Sequence, residues 1–134
     1  MKLTVRPLTP DLWPALEDLT LAVGWCQLTP RTDLPWMDRS WRLKRVDEIP
    51  VWSLSCLYVR IGYRKRGVTS RLIQAALRAA KRAHAPALEA YPLDASKSPS
   101  ASGAGYRSTF VRAGFKTVAC RTPARPVMRY DFTA

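Results

Sequence analysis

The segment Tyr63-Arg64-Lys65-Arg66-Gly67-Val68-Thr69-Ser70 holds the residue types that bind a phosphorylated ligand. Backbone N–H groups at a helix N-terminus point outward, and the helix dipole favours negative charge there. Gly67 permits a sharp turn and lets a ligand approach the backbone. Thr69 and Ser70 can cap a helix or donate to a phosphate. Arg64, Lys65, Arg66 and Arg71 surround the spot with positive charge. The spacing is not the nucleotide P-loop, G-x-x-x-x-G-K-[ST], and one glycine is too few for the dinucleotide fingerprint. Spacing alone leaves two readings open: a pyrophosphate cradle, or a glycine-containing turn with a basic face.

Other reactive side chains are few. His84 is the only histidine and stands where a helix should end, so it reads as a C-cap. Cys56 lies in an apolar strand with no His or Asn suitably placed, and reads as a core thiol. Cys26, Cys56 and Cys120 make an odd count without a C-x-x-C pair or a Cys/His cluster. That argues against a disulfide framework and a structural zinc site, and points to a reducing compartment.

The elements that must position these residues follow from pattern. Val51–Arg60 is β-branched, aromatic and nearly uncharged, as an inner strand of a sheet requires. Thr69–Ala83 carries Leu72, Ile73, Ala76, Leu77 and Ala80 on one helical face, and Pro86 enforces the stop. The spacing further predicts strands over 2–6, 21–28, 87–91, 115–121 and 126–132, and helices over 9–19 and 107–113. Residues 29–50 have no sustained period and read as a long irregular loop holding Trp36 and Trp41; loops of this length are often functional. The Ser-, Ala- and Gly-rich run 95–105 reads as a mobile loop. The order β-α-β-loop-β-α-β-α-β-β makes a mixed α/β sheet in one domain over 1–134.

Composition narrows the partners. Of 134 residues, 47% are apolar and 24% charged, which fits a globular chain. Lys and Arg number 22 against 10 Asp and Glu, a net charge of +12. From Ile49 to Leu88 there is no acid, but Arg60, Arg64, Lys65, Arg66, Arg71, Arg78, Lys81 and Arg82 are present. Such a field favours a polyanion: nucleic acid, an anionic membrane surface or a phosphorylated cofactor. No uncharged run approaches the ~18 residues of a membrane span, and the N-terminus lacks the apolar stretch of a signal peptide. The expectation is a soluble, cytoplasmic protein.

The run from Val59 to Leu72 resembles motif A of the GNAT superfamily of acyl-CoA-dependent N-acyltransferases. That motif, R/Q-x-x-G-x-G/A, reads here Arg64-Lys65-Arg66-Gly67-Val68-Thr69. Thr69 replaces the final small residue, and Ile61 stands where proline is common. Phe110-Val111-Arg112-Ala113-Gly114-Phe115 is similar to the family's Y/F-x-x-x-G-F phrase. Gly24-Trp25-Cys26, Pro50-Val51-Trp52, Glu89-Ala90-Tyr91-Pro92 and Arg125-Pro126-Val127-Met128 resemble a bacterial branch of it. The likeness covers about residues 22–132. The segment between the first helix and the Gly-Trp-Cys strand is shorter than the family pattern, so the N-terminal half is shortened.

The resemblance implies a mixed, mostly antiparallel sheet flanked by helices, with splayed central strands. It implies that acetyl-CoA binds with its pyrophosphate on Arg66, Gly67, Val68, Thr69 and Ser70, beside Arg64 and Lys65. Its pantetheine would pair with Leu57, Tyr58 and Val59. An acceptor amine, on a small molecule or a peptide, would attack the thioester directly, with no covalent enzyme intermediate. Phe110 stands where many members place a tyrosine acid, so Tyr106 or Tyr91 would substitute. Glu89 is the only acid between residues 49 and 93. It is a candidate general base, or else a structural carboxylate paired with an arginine. Two other functions compete: an acyl-CoA-binding module without catalysis, and a small basic nucleic-acid-binding protein. The shortened half and the five early tryptophans imply a homodimer through residues 20–50, against a monomer whose 29–50 loop folds back over the gap.

Overall fold

The strand over Trp52–Val59 is the organising element of the computed structural model, which describes residues 5–7, 23–60, 67–96 and 105–132. Five strands form one sheet: β1 (Gly24–Pro30), β2 (Trp52–Val59), β3 (Ala87–Ala90), β4 (Lys116–Thr122) and β5 (Arg125–Asp131), in the order β1-β2-β3-β5-β4. Among the described strands only β2 and β3 run parallel; the other three pairings are antiparallel. Helix α1 (Val68–Arg82) makes the crossover between the parallel pair, and α2 (Arg107–Arg112) precedes the β4–β5 hairpin. The sheet is thus mixed and mostly antiparallel, with β2 an inner strand, as its apolar sequence predicts. The strand expected over 2–6 lies largely, and the helix over 9–19 wholly, outside the described residues.

One face of the sheet packs on the helices. The predicted stripe of α1 is buried against Leu54, Leu57, Leu88 and Met128, and Phe110 of α2 joins it. Glycine is required where β1 crosses α1: a Cβ at Gly24 would stand 2.7 Å from the Tyr58 carbonyl oxygen. At the far end of α1, His84 takes a left-handed φ of 60°. Its N–H donates to the Lys81 carbonyl, and the Ala85 N–H to the Ala80 carbonyl, which closes the helix as the C-cap reading anticipates.

The opposite face is covered by residues 31–50, expected to be an irregular loop. Two 3-10 turns, Arg31–Asp33 and Pro35–Arg39, lie within this strap. Leu34 and Met37 are buried from it against Tyr91 and Val127, with Leu43, Val46 and Ala119 alongside. The segment therefore has a core of its own to enter. Arg121 of β4 fastens it further by donating to the carbonyl of Arg45 at 3.1 Å. No described helix is long and apolar enough to cross a membrane.

Candidate acyl-transfer site

Strict alternation in β2 would put Leu54 and Leu57 on opposite faces, yet both pack on the helix layer. The register explains it: Gln27 pairs with Cys56 and Leu28 with Leu54, so Ser55 is one extra residue, a bulge. A bulge bends its strand and disrupts the ladder locally. On its other side β2 is in register with β3 at Trp52↔Leu88, Ser53↔Glu89 and Leu54↔Ala90, where β3 ends. Beyond Leu54 the two strands part, while β1 stays paired with β2 as far as Val59. Leu57, Tyr58 and Val59 all lie on this parted length. Leu57 is buried, and Tyr58 is half-buried and stacks on Trp25 at 6.2 Å between centroids.

β2 leads to the N-terminus of α1. Gly67 is the N-cap, with φ 80°, and a Cβ placed there would meet nothing within 4 Å. The first turn has no acid and no side-chain cap. Its amides therefore have no intrahelical partner and no carboxylate from their own turn. Val68 is buried, Thr69 is half-buried and Ser70 is exposed. Arg64, Lys65 and Arg66 lie outside the described residues. Open space over a left-handed glycine, at the start of a 15-residue helix without acids in its first turn, suits a pyrophosphate.

The candidate proton carriers occupy different surroundings. Ser53, Glu89 and Arg129 form one row across β2, β3 and β5 on the strap face. Glu89 is 1% exposed. Arg129 donates to its Oε2 at 2.8 Å, and the Tyr91 hydroxyl donates to its Oε1 at 2.9 Å. Arg31 Nη1 lies 3.5 Å from Oε1 and donates to Tyr91 Oη at 3.0 Å. Because Tyr91 gives its one proton to Glu89, Ser53 Oγ, 2.7 Å away, donates to Tyr91 Oη. Two strap carboxylates complete the network. Asp38 accepts from Arg31 at 2.8 Å, and Asp47 takes both terminal nitrogens of Arg129, at 2.8 and 3.3 Å.

The electrostatics follow. Burial, reinforced by the Glu89 charge, raises the Tyr91 hydroxyl pKa far above its usual value, so it stays protonated. Burial pulls the Arg129 guanidinium downward, but the bonds to Asp47 and Glu89 outweigh it and the net shift is upward. The hydrogen bond from Arg31 depresses Asp38, and that from Arg129 depresses Asp47. Cys56 is half-buried; the Cys26 thiol is raised by burial and then by Cys56.

Phe110 has no exposed surface; it meets Phe115 edge to face at 5.0 Å, and a Cβ on Gly105 would stand 2.9 Å from its ring. Tyr106, by contrast, is 38% exposed, caps the start of α2, and bridges to Leu93 just past β3. The structure thus gathers Glu89 and Tyr91 in one buried network and sets Tyr106 apart from it at the surface. Sequence reasoning missed Arg31, Arg129, Asp38 and Asp47. The available signal was the burial of an acid in an apolar strand, which demands a cation, but 22 bases gave no way to choose.

Also missed was a cleft of about 470 Å³ between strap and sheet. Trp36, Trp41 and Arg42 line it from the strap, and Ser55, Tyr91 and Arg125 from the sheet. Ser55 is the bulge residue and Tyr91 follows the last residue of β3, so the cleft opens where the two strands part.

Known proteins place this arrangement. No curated protein matches the chain. Among solved structures, a GNAT-family acetyltransferase from Listeria monocytogenes 4b F2365 is similar at a TM-score of 0.57 and 13% identity, over 82% of this chain and 58% of that one. A second acetyltransferase gives 0.58 and 19%, over 81% and 64%. A chain of the NatC complex bound to Gag peptide and CoA gives 0.51 and 9%, over 97% and 84%. The chain thus spans about three fifths of the length of the first two. At these identities the likeness concerns fold. The model of the acetyltransferase (GNAT) family matches residues 7–97, more than half of the chain, and the chain belongs to that family.

Proposed function

We propose that the protein is an N-acyltransferase that moves an acetyl group from acetyl-CoA to a primary amine. The observation that carries this reading is the parting of β2 and β3 at the Ser55 bulge, on the strand that leads to the uncapped N-terminus of α1. Acetyl-CoA would supply an activated thioester, and the CoA bound in the NatC complex is in keeping with a shared cofactor. The amides of Gly67, Val68, Thr69 and Ser70 would hold the pyrophosphate, with Arg64, Lys65 and Arg66 adding charge. The parted edge of Leu57, Tyr58 and Val59 would take the pantetheine as an added strand, and its amides would stabilise the developing oxyanion. Transfer forms an N–C amide bond and breaks the thioester C–S bond; the amine gives up one proton and the leaving sulfur takes one. Tyr106 is the proton donor in this scheme, because its hydroxyl stands on an exposed residue beside the end of β3. Glu89 holds Tyr91 and the end of β3 in place; both its oxygens are engaged and it has almost no exposed surface.

The test is acetyl-CoA binding by calorimetry with Gly67→Glu and Gly67→Ala. Both carry the left-handed backbone strain, but only Glu adds a negative charge and fills the open space. Binding lost in Gly67→Glu and retained in Gly67→Ala is the expected result; wild-type affinity in Gly67→Glu would refute the site. Tyr106→Phe should then lower kcat by about 10²–10⁴-fold with CoA affinity unchanged. Acetyl-CoA binding without turnover on any amine would instead select the non-catalytic binding module.

A further inference from the structure

We infer that the cleft between strap and sheet takes the acceptor, and that this acceptor is a small amine with a flat apolar body and a carboxylate, of the aromatic amino acid class. The inference rests on the acyltransferase reading and gives its unnamed amine a chemistry. Position comes first. Ser55 and Tyr91 mark the point where β2 and β3 part, and both line the cleft. The cleft lies on the strap face of the sheet, whereas α1, whose N-terminus suits the pyrophosphate, packs on the other. An amine in the cleft therefore meets an acyl group reaching through the parted strands from the α1 side.

The lining decides the class. Trp36 and Trp41 are 47% and 59% exposed, although the strap that carries them is anchored by Leu34 and Met37. They and Tyr91 give the cleft three aromatic rings. Such rings bind a flat apolar group at little conformational cost. Among the described residues, the charged ones in the lining are Arg42 and Arg125, with no Asp or Glu beside them. The Arg42 guanidinium carbon lies 5.8 Å from the Trp41 ring centroid, so a cation already sits against an aromatic wall. A polyamine or a lysine-rich peptide would meet like charge there; a carboxylate beside the amine would meet a guanidinium fork. A volume of about 470 Å³ is that of a site for one small molecule.

The experiment measures thiol release from acetyl-CoA with L-phenylalanine, phenethylamine and spermidine. Phenylalanine should exceed phenethylamine, the same ring without the carboxylate, by about tenfold or more in kcat/KM, with spermidine the poorest. In Arg42→Ala the ratio of phenylalanine to phenethylamine should fall toward one. A ratio near one in the wild type, or a preference for spermidine, overturns the inference and leaves the acyltransferase reading standing. If none of the three is acetylated, the cleft is judged by binding. Saturable quenching of tryptophan fluorescence by N-acetyl-L-phenylalanine, lost in Arg42→Ala and weakened in Trp41→Phe, supports the inference. No quenching, or quenching indifferent to both substitutions, overturns it.

Discussion

Glu89 shows how one buried charge organises its surroundings. An ionised carboxylate without exposed surface is stable only if its oxygens are bonded, and here Arg129, Arg31 and Tyr91 all turn to it. Glu89→Gln leaves two buried guanidinium groups short of a counter-charge. It should lower unfolding stability by roughly 3 kcal/mol, measured by urea denaturation. An unchanged midpoint would mean that the network carries no stability. From sequence the choice between base and structural carboxylate for Glu89 stayed open, because the answer depends on Arg31 and Arg129. These lie 58 residues before and 40 residues after it in the chain; the strand register brings in Arg129, and the path of the strap brings in Arg31.

The strap is the element that the sequence made hardest to read. Residues 31–50 have no period because a few anchors hold them: Leu34 and Met37 by burial, Asp38 and Asp47 by arginine. These anchors give the strap a pH dependence. Asp38 and Asp47 have folded pKa values depressed below the unfolded value of 3.8. Their contribution is full above that value and is lost as pH falls through the depressed folded values. Both carboxylates are more than a third exposed, so solvent screening keeps the effect modest. Wild-type Tm should therefore decline below about pH 4. Asp47→Asn should have a lower Tm at pH 7 and a shallower decline in acid, followed by circular dichroism. Parallel Tm curves for the two proteins would show that Asp47 does not couple the strap to pH.

For the whole molecule, the net charge of +12 and the exposed tryptophans set the expectations. The charge should give weak DNA binding whose logarithm falls with the logarithm of salt at about −0.9 per phosphate neutralised. Fluorescence anisotropy should show binding vanishing near physiological salt. Sequence-selective, sub-micromolar binding at that salt would displace acyl transfer as the primary function. The folding of the strap onto its own sheet removes one motive for a homodimer and leaves another. β1 is the end strand of the sheet among the described residues, and its Trp25, stacked on Tyr58, is 39% exposed. Such an edge invites pairing, and a dimer about a two-fold axis through β1 is the expected state. Sedimentation equilibrium at micromolar concentration checks it: a single species at 15.1 kDa rejects the dimer.

What the sequence determined by itself was local. The apolar run of β2, the stripe of α1, the Gly67 turn and the family phrases around them are legible because each is set by near neighbours in the chain. Even the bulge left a trace, since Leu54 and Leu57 are three apart in a strand whose pleat repeats every two. Tertiary structure alone decided which arginines meet Glu89, where the strap lies, and that Trp36, Trp41, Ser55 and Tyr91 line one cleft. Those are contacts between residues tens of positions apart. They depend on strand register and on the path of a chain without periodicity, and neither is carried by the spacing of neighbouring residues.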